Sequence, residues 1–193
     1  MELFETIRQN VGNRILVKKN SRIKRSAFYS NISLIKTIGI VWDSSDPEEF
    51  GFLSAFYQKL QERNINVRVI GYYPDKILPD KYTAIRYLSC IRREEVNFFY
   101  IPVTNEALEF IECRFDILID INFKKILPLH YISSLSMARL KIGLFEGDNI
   151  STPYDLMMDI QRPVNIENYL NEIIFYLEMI KSENTKKADI KIL

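Results

Sequence analysis

Phe115-Asp116-Ile117-Leu118-Ile119-Asp120-Ile121 and Tyr154-Asp155-Leu156-Met157-Met158-Asp159-Ile160 share one pattern: an aromatic residue, Asp, three apolar residues, Asp and Ile. An apolar run that does not alternate has no face to offer water, which is the signature of a strand buried on both faces of a mainly parallel sheet. A chain holding such strands must supply helices to cover both sides. The flanks of the two runs do not repeat, so the echo reads as two strands meeting the same environment rather than as a duplicated half.

The rest of the chain fits that demand. Lys36 to Trp42 is a strand pattern with Gly39 where close packing is easiest. Asp46 as N-cap, Pro47 at the first helical position and Glu49 at the third predict a helix whose buried stripe is Phe50, Leu53, Phe56, Tyr57 and Leu60. A strand over Asn66 to Tyr73 completes a parallel crossover unit. Pro74 to Asp80 breaks regular structure, and the segment to Glu95 is partly helical around Ala84 to Ile91. Val96 to Ile101 reads as a short aromatic strand ended by Pro102, and Thr104 or Asn105 caps a short helix. Leu127 to Met137 is helical, Leu140 to Phe145 a strand, Gly147-Asp148-Asn149 a turn, and Ile166 to Ile180 an amphipathic helix. Strands alternating with helices predict a single Rossmann-like α/β domain, with a mainly parallel sheet of about six strands flanked by helices.

That domain spans residues 36–182. It follows an N-terminal amphipathic helix and basic arm over 1–35, the helix running from Leu3 to about Leu16 and weakened by Gly12, and it precedes a polar tail over 183–193. The net charge of +1 hides an asymmetry, because eight cations face only Glu2 and Glu5 before Thr37. Arg14, Lys18, Lys19, Arg22, Lys24 and Arg25 form a candidate patch for an acidic partner such as RNA or a ribonucleoprotein, since clustered cations gain affinity by releasing counterions. The plainer account of Val17 to Arg25 is a solvated connection.

With 193 residues, 47% of them hydrophobic, the chain can bury one sizeable core. Cys90 and Cys113 form neither a disulfide framework nor a zinc motif. The start lacks a charged and then apolar leader, and no run approaches the ~20 apolar residues that span a bilayer, so a cytoplasmic protein is expected.

In open α/β sheets, ligands bind beyond the carboxyl ends of the strands, where strand order reverses. That rule selects Asp43, Ser44, Asp46, Asp120, Asn122 and Asp159. The loop after the first strand is too acidic to cradle a bare phosphate, whereas a divalent cation such as Mg²⁺ or Ca²⁺ suits oxygen ligands of this kind. Asp43, Asp120 and Asp159 would form a carboxylate cluster if their strands were neighbours. The alternative is that each caps a helix or accepts backbone N–H groups. Asp116 and Asp155 lie at the opposite strand ends, where solvated or capping roles are expected. His130 has no second histidine with which to build a triad or a multi-histidine metal site, and Cys90 and Cys113 read as packed thiols.

The stretch from Phe115 to Leu144, with its Asp-Ile-Leu-Ile-Asp strand, Ser134-Leu135-Ser136-Met137-Ala138 and Lys141-Ile142-Gly143, resembles the N-terminal Rossmann-like half of heptosyltransferase-type GT-B glycosyltransferases. No Gly-Asp follows the first strand, which continues Trp42-Asp43-Ser44, so this resemblance implies a fold and no catalytic residue. The whole chain more closely resembles a family of uncharacterised bacterial proteins, on Ile38-Gly39-Ile40, Phe115 to Ile121, Lys141-Ile142-Gly143, Tyr154 to Ile160 and Tyr176-Leu177. That resemblance implies a bacterial cytoplasmic protein and supplies no activity. The leading expectation is a non-catalytic binding or scaffold protein with a basic arm. The alternatives are a small enzyme or ligand-binding domain at the strand ends, and a subunit of an oligomer.

Overall fold

The structure, a computed structural model, describes residues 2–145, 147, 152–160 and 165–181, with side chains from Phe4 onward. Six strands form one parallel sheet: β1 (Thr37–Asp43), β2 (Asn66–Tyr73), β3 (Leu88–Arg92), β4 (Ile117–Asp120), β5 (Leu140–Leu144) and β6 (Leu156–Met158), in the order β3-β2-β1-β4-β5-β6. Strand order reverses between β1 and β4, so a crevice is expected beyond their carboxyl ends.

The helices are α1 (Glu2–Asn20), α2 (Phe50–Glu62), α3 (Asp80–Thr83), α4 (Asn105–Glu112), α5 (Leu127–Leu135) and α6 (Ile166–Met179). Alternation along β1 divides the core. Ile38, Ile40 and Trp42 pack with Leu53, Phe56, Tyr169 and Ile173 from α2 and α6, whereas Val41 faces Leu16, Phe110, Leu129 and Ile132 from α1, α4 and α5. The result is a helix, sheet, helix sandwich.

The echoed runs occupy equivalent places. Ile117 pairs with Ile38 of the Ile38-Gly39-Ile40 strand, and Leu156 pairs with Ile142 of Ile142-Gly143-Leu144. Phe115 lies over Gly39, where an added Cβ would come 2.7 Å from its ring, and Tyr154 covers Gly143 still more tightly. Asp116 accepts from the backbone N–H of Lys36 (2.9 Å) and Thr37 (3.1 Å) at the start of β1. Asp155 accepts from the N–H of Lys141 at 2.8 Å in β5. Each aromatic–Asp pair thus rivets its strand to a neighbour, the ring filling the space over a glycine and the carboxylate pairing backbone N–H groups there. The equivalence stops at burial: β4 is buried throughout, whereas β6 is an edge strand with Met157 exposed.

Several sequence expectations are corrected. Residues 84–91 are not helical; they lead into β3, whose register against β2 buries Leu88 and Ile91. Val96 to Ile101 is not a strand but a turn closed by an isolated Val96–Pro102 bridge, with Tyr100 at φ 61°. α2 begins at Phe50 because 47–49 form a separate turn, whose Glu48 N–H donates to Asp46 Oδ1 at 2.9 Å. The N-terminal helix runs on to Asn20, and Gly12 does more than weaken it: a Cβ there would collide with the Phe99 carbonyl oxygen. The Gly147-Asp148-Asn149 turn lies partly, and the 183–193 tail wholly, outside the described residues.

Residues 21–31 are not a free arm either. They cross the amino ends of β5 and β6, tied by Phe28 N–H to Arg139 O (2.9 Å), Tyr29 Oη–H to Asp155 O (2.9 Å) and Asn31 Nδ2 to Glu178 O (2.8 Å).

Candidate functional site

Asp120 closes β4 with its side chain on the α5 side of the sheet, 3% exposed. Its carboxylate is held from three directions. Oδ2 accepts from Ser133 Oγ–H of α5 at 2.5 Å and from Tyr154 Oη–H at 2.7 Å. Oδ1 accepts from the backbone N–H (3.1 Å) and side-chain amide (2.5 Å) of Asn122. Burial pushes the Asp120 carboxyl pKa up, while the bonds from Ser133, Tyr154 and Asn122 oppose that push. Four donors on an acceptor-only group satisfy the charged form, as a buried carboxylate requires. From the opposite layer, Tyr169 Oη–H donates to Asp120 O at 3.1 Å.

Asn122 spans the switch point, where its Nδ2 also approaches Val41 O at 3.3 Å. Its Oδ1 is buried and meets no donor. Lys124 reaches back across the same gap to Asp43 Oδ2 at 3.0 Å, and Asp43 Oδ1 accepts from Ser45 N–H at 3.1 Å.

Beside these groups a cleft of about 370 Å³ opens between α1, α5 and the carboxyl ends of β4 and β5. Asp120, Asn122 and Tyr154 form its polar floor, Leu16, Leu129 and Leu144 contribute apolar wall, and Lys124, Lys125 and His130 also line it. Burial, followed by the charge of Lys125, lowers the His130 pKa to about 4, so the imidazole is neutral near pH 7.

Of the two readings of the strand-end aspartates, the cluster of Asp43, Asp120 and Asp159 does not form. β5 lies between β4 and β6, so Asp159 ends an edge strand apart from Asp120, and it is exposed. Asp43 is occupied by Lys124 and Ser45, and Asp120 by its four donors. Among the described residues no group of three or more His, Cys, Asp or Glu side chains could hold a metal ion. Ser44 is packed away, with Cys90 Sγ–H directed at its Oγ (3.9 Å) and its N–H donating to Tyr72 O (3.1 Å). Asp46 serves the turn before α2.

The basic patch divides. Arg14, Lys18, Arg22 and Lys24 are exposed. Lys19 donates to Tyr131 Oη at 2.7 Å, and Arg25 Nη2 forms an ion pair with both carboxylate oxygens of Asp155 at 2.7 and 2.8 Å. α1 lies on α5 of its own chain, with Leu16 buried in the shared core.

Sequence reasoning passed over Ser133, Tyr154 and the buried Lys141. Ser133-Ser134 inside an otherwise apolar helix was the available signal for the first, because a buried hydroxyl needs a partner. For Tyr154 it was the hydroxyl that distinguishes it from Phe115 in the echo.

Among the described residues no helix is long and apolar enough to cross a membrane. A search of curated proteins finds no match to the chain. The model of one protein family matches residues 8–180, running from α1 through α6 and so joining the N-terminal helix to the sheet domain. The chain belongs to that family, DUF6913, a family of unknown function.

Proposed function

We propose that this protein is a ligand-binding domain whose small polar ligand enters the cleft between α1, α5 and the carboxyl ends of β4 and β5. The observation that carries this reading is the Asp120 carboxylate, held by four donors on the floor of a concave space beside the switch point. Pockets that hold small molecules are commonly ~300–1,000 Å³, with apolar walls and a few fixed polar groups, and sheets of this topology bind ligands beyond the carboxyl ends of their strands. The reading takes the protein to act in the bacterial cytoplasm, the setting implied by the sequence resemblance. Two-dimensional amide NMR of the full chain with a mixture of uncharged fragments tests it. Resonances of Asn122, Lys125, His130 and Tyr154 are expected to move together; a fragment set that leaves all of them in place overturns the reading.

A second reading keeps an acidic macromolecule such as RNA as partner of α1 and the segment after it. It is favoured by the exposure of Arg14, Lys18, Arg22 and Lys24 on one continuous stretch. Removing the whole segment would strip α1 from α5, so the fitting test is charge removal in place. Arg14→Ala, Lys18→Ala and Arg22→Ala together are expected to weaken binding to total RNA and flatten its salt dependence by about one unit of slope per lost contact. Unchanged affinity and slope would exclude this partner.

A further inference from the structure

The chemistry of the cleft lining narrows what it can take, on the reading that it binds a small molecule. Among the described lining residues the only carboxylate is Asp120, and its two oxygens already accept four hydrogen bonds. It has little capacity left to bind a ligand cation. Lys124 and Lys125 line the cleft, and both are exposed. Asp43 occupies one side of Lys124, at 3.0 Å, while an ammonium carries three donors. The loop bearing these lysines runs directly into α5, which begins without a capping side chain and without an acidic residue in its first turn. Its field adds to theirs. Deeper in, the side-chain amide of Asn122 is committed to Asp120 Oδ1 and Val41 O, and its Oδ1 is closed off from the cleft. A ligand that fits therefore presents an anionic group at the rim and an uncharged body towards the floor.

We propose that the cleft binds a phosphomonoester of an uncharged body, such as a sugar phosphate or nucleoside monophosphate, with its phosphate against Lys124 and Lys125 and the body over the floor. Two ammonium point charges suit a phosphomonoester dianion better than a single carboxylate, for which the planar fork of an arginine is the closer match.

Calorimetric titration of the full chain at fixed ionic strength tests this with ribose 5-phosphate, glycerol 3-phosphate, glucose 6-phosphate and adenosine 5′-monophosphate. The unphosphorylated parents, ribonate and inorganic phosphate serve as controls. At least one phosphomonoester is expected to bind ten-fold or more tighter than its parent and than inorganic phosphate, moving the amides of Asn122 and Lys125. Lys124→Ala/Lys125→Ala, which alters only exposed side chains, is expected to erase the advantage over the parent while leaving thermal unfolding nearly unchanged. Equal binding of phosphorylated and parent compounds, equal binding of ribonate, or an advantage that survives the double substitution would overturn the proposal. If uncharged fragments still move the cleft resonances in that event, the ligand-binding reading stands and only the phosphate assignment falls. If they do not, both fall.

Discussion

Arg25 Nη2 meets both carboxylate oxygens of Asp155, at 2.7 and 2.8 Å, with side chains only 16% and 17% exposed. This contact converts the segment after α1 from a tether into a strap, because Asp155 also accepts from Lys141 N–H and Arg25 also donates to Ala138 O. Charge-assisted hydrogen bonds in partly buried places contribute more than exposed ion pairs do. Arg25→Ala is expected to destabilise the protein by about 1.5–3 kcal/mol in urea denaturation. Lys24→Ala, one residue away but exposed, should fall within about 0.5 kcal/mol of wild type. Equal effects would mean that the strap is not held by this pair.

Gly12 makes a prediction of opposite sign to helix propensity. Alanine is favoured over glycine within a helix by about 1 kcal/mol, so Gly12→Ala would stabilise an isolated α1. In the folded chain the new methyl would strike the Phe99 carbonyl, on a backbone also fixed by Tyr100 at positive φ. The expected outcome is a net loss of about 1–3 kcal/mol, measured by chemical denaturation, in line with overpacking elsewhere.

How far the sequence could be read follows from which interactions are local. β1, β2, β4 and the terminal helix are signalled by apolar runs or a 3.6-residue stripe, and all lie close to where those patterns put them. β3 and the 96–101 loop exchange places with expectation. Leu-Ser-Cys-Ile-Arg at 88–92 is a modest strand sequence made into one by pairing with β2, whereas the aromatics of 98–100 are held in a turn by Asn97, whose side chain accepts from Phe99 and Ile101 N–H. At the site, Asp120 and Asn122 could be found because strand ends are where ligands bind. Ser133 and Tyr154 showed only an unexplained hydroxyl each, without its partner, because they reach Asp120 only once α5 and the segment before β6 are folded over β4.

Tyr154 is fixed by two constraints, and separate substitutions distinguish them. Its ring needs the bare backbone of Gly143, and its hydroxyl supplies one of the four donors on Asp120. Tyr154→Phe removes the donor and keeps the ring, so a loss of about 1–2 kcal/mol is expected with near-native packing. Gly143→Ala displaces the ring and with it the hydroxyl, so it should cost more than Tyr154→Phe. In the Tyr154→Phe background it should cost less than alone, because part of its effect is already gone. Strict additivity in this double-mutant cycle would show that ring position and Asp120 bond are independent.

Lys141 is the one wholly buried ammonium among the described residues, 2% exposed in β5, with Nζ donating to Ser134 O at 2.7 Å. Burial first, and the nearby Arg25 second, lower its pKa from 10.5 to about 7, against a partial offset from Asp155. Between those two values the unfolded chain holds a proton that the folded chain has lost, so stability must rise with pH across this window, and below about pH 7 the full penalty is present. Cys90 acts in the other sense, because burial raises its pKa from 9.0 to about 11 and stability is lost as pH climbs through that interval. Comparison with Lys141→Met cancels the Cys90 contribution. Urea denaturation from pH 6 to 10 should show wild type gaining stability relative to Lys141→Met as pH rises, with the steepest gain above pH 7. A difference between the two proteins that stays flat over this range would mean that Lys141 keeps its ordinary pKa in the folded state.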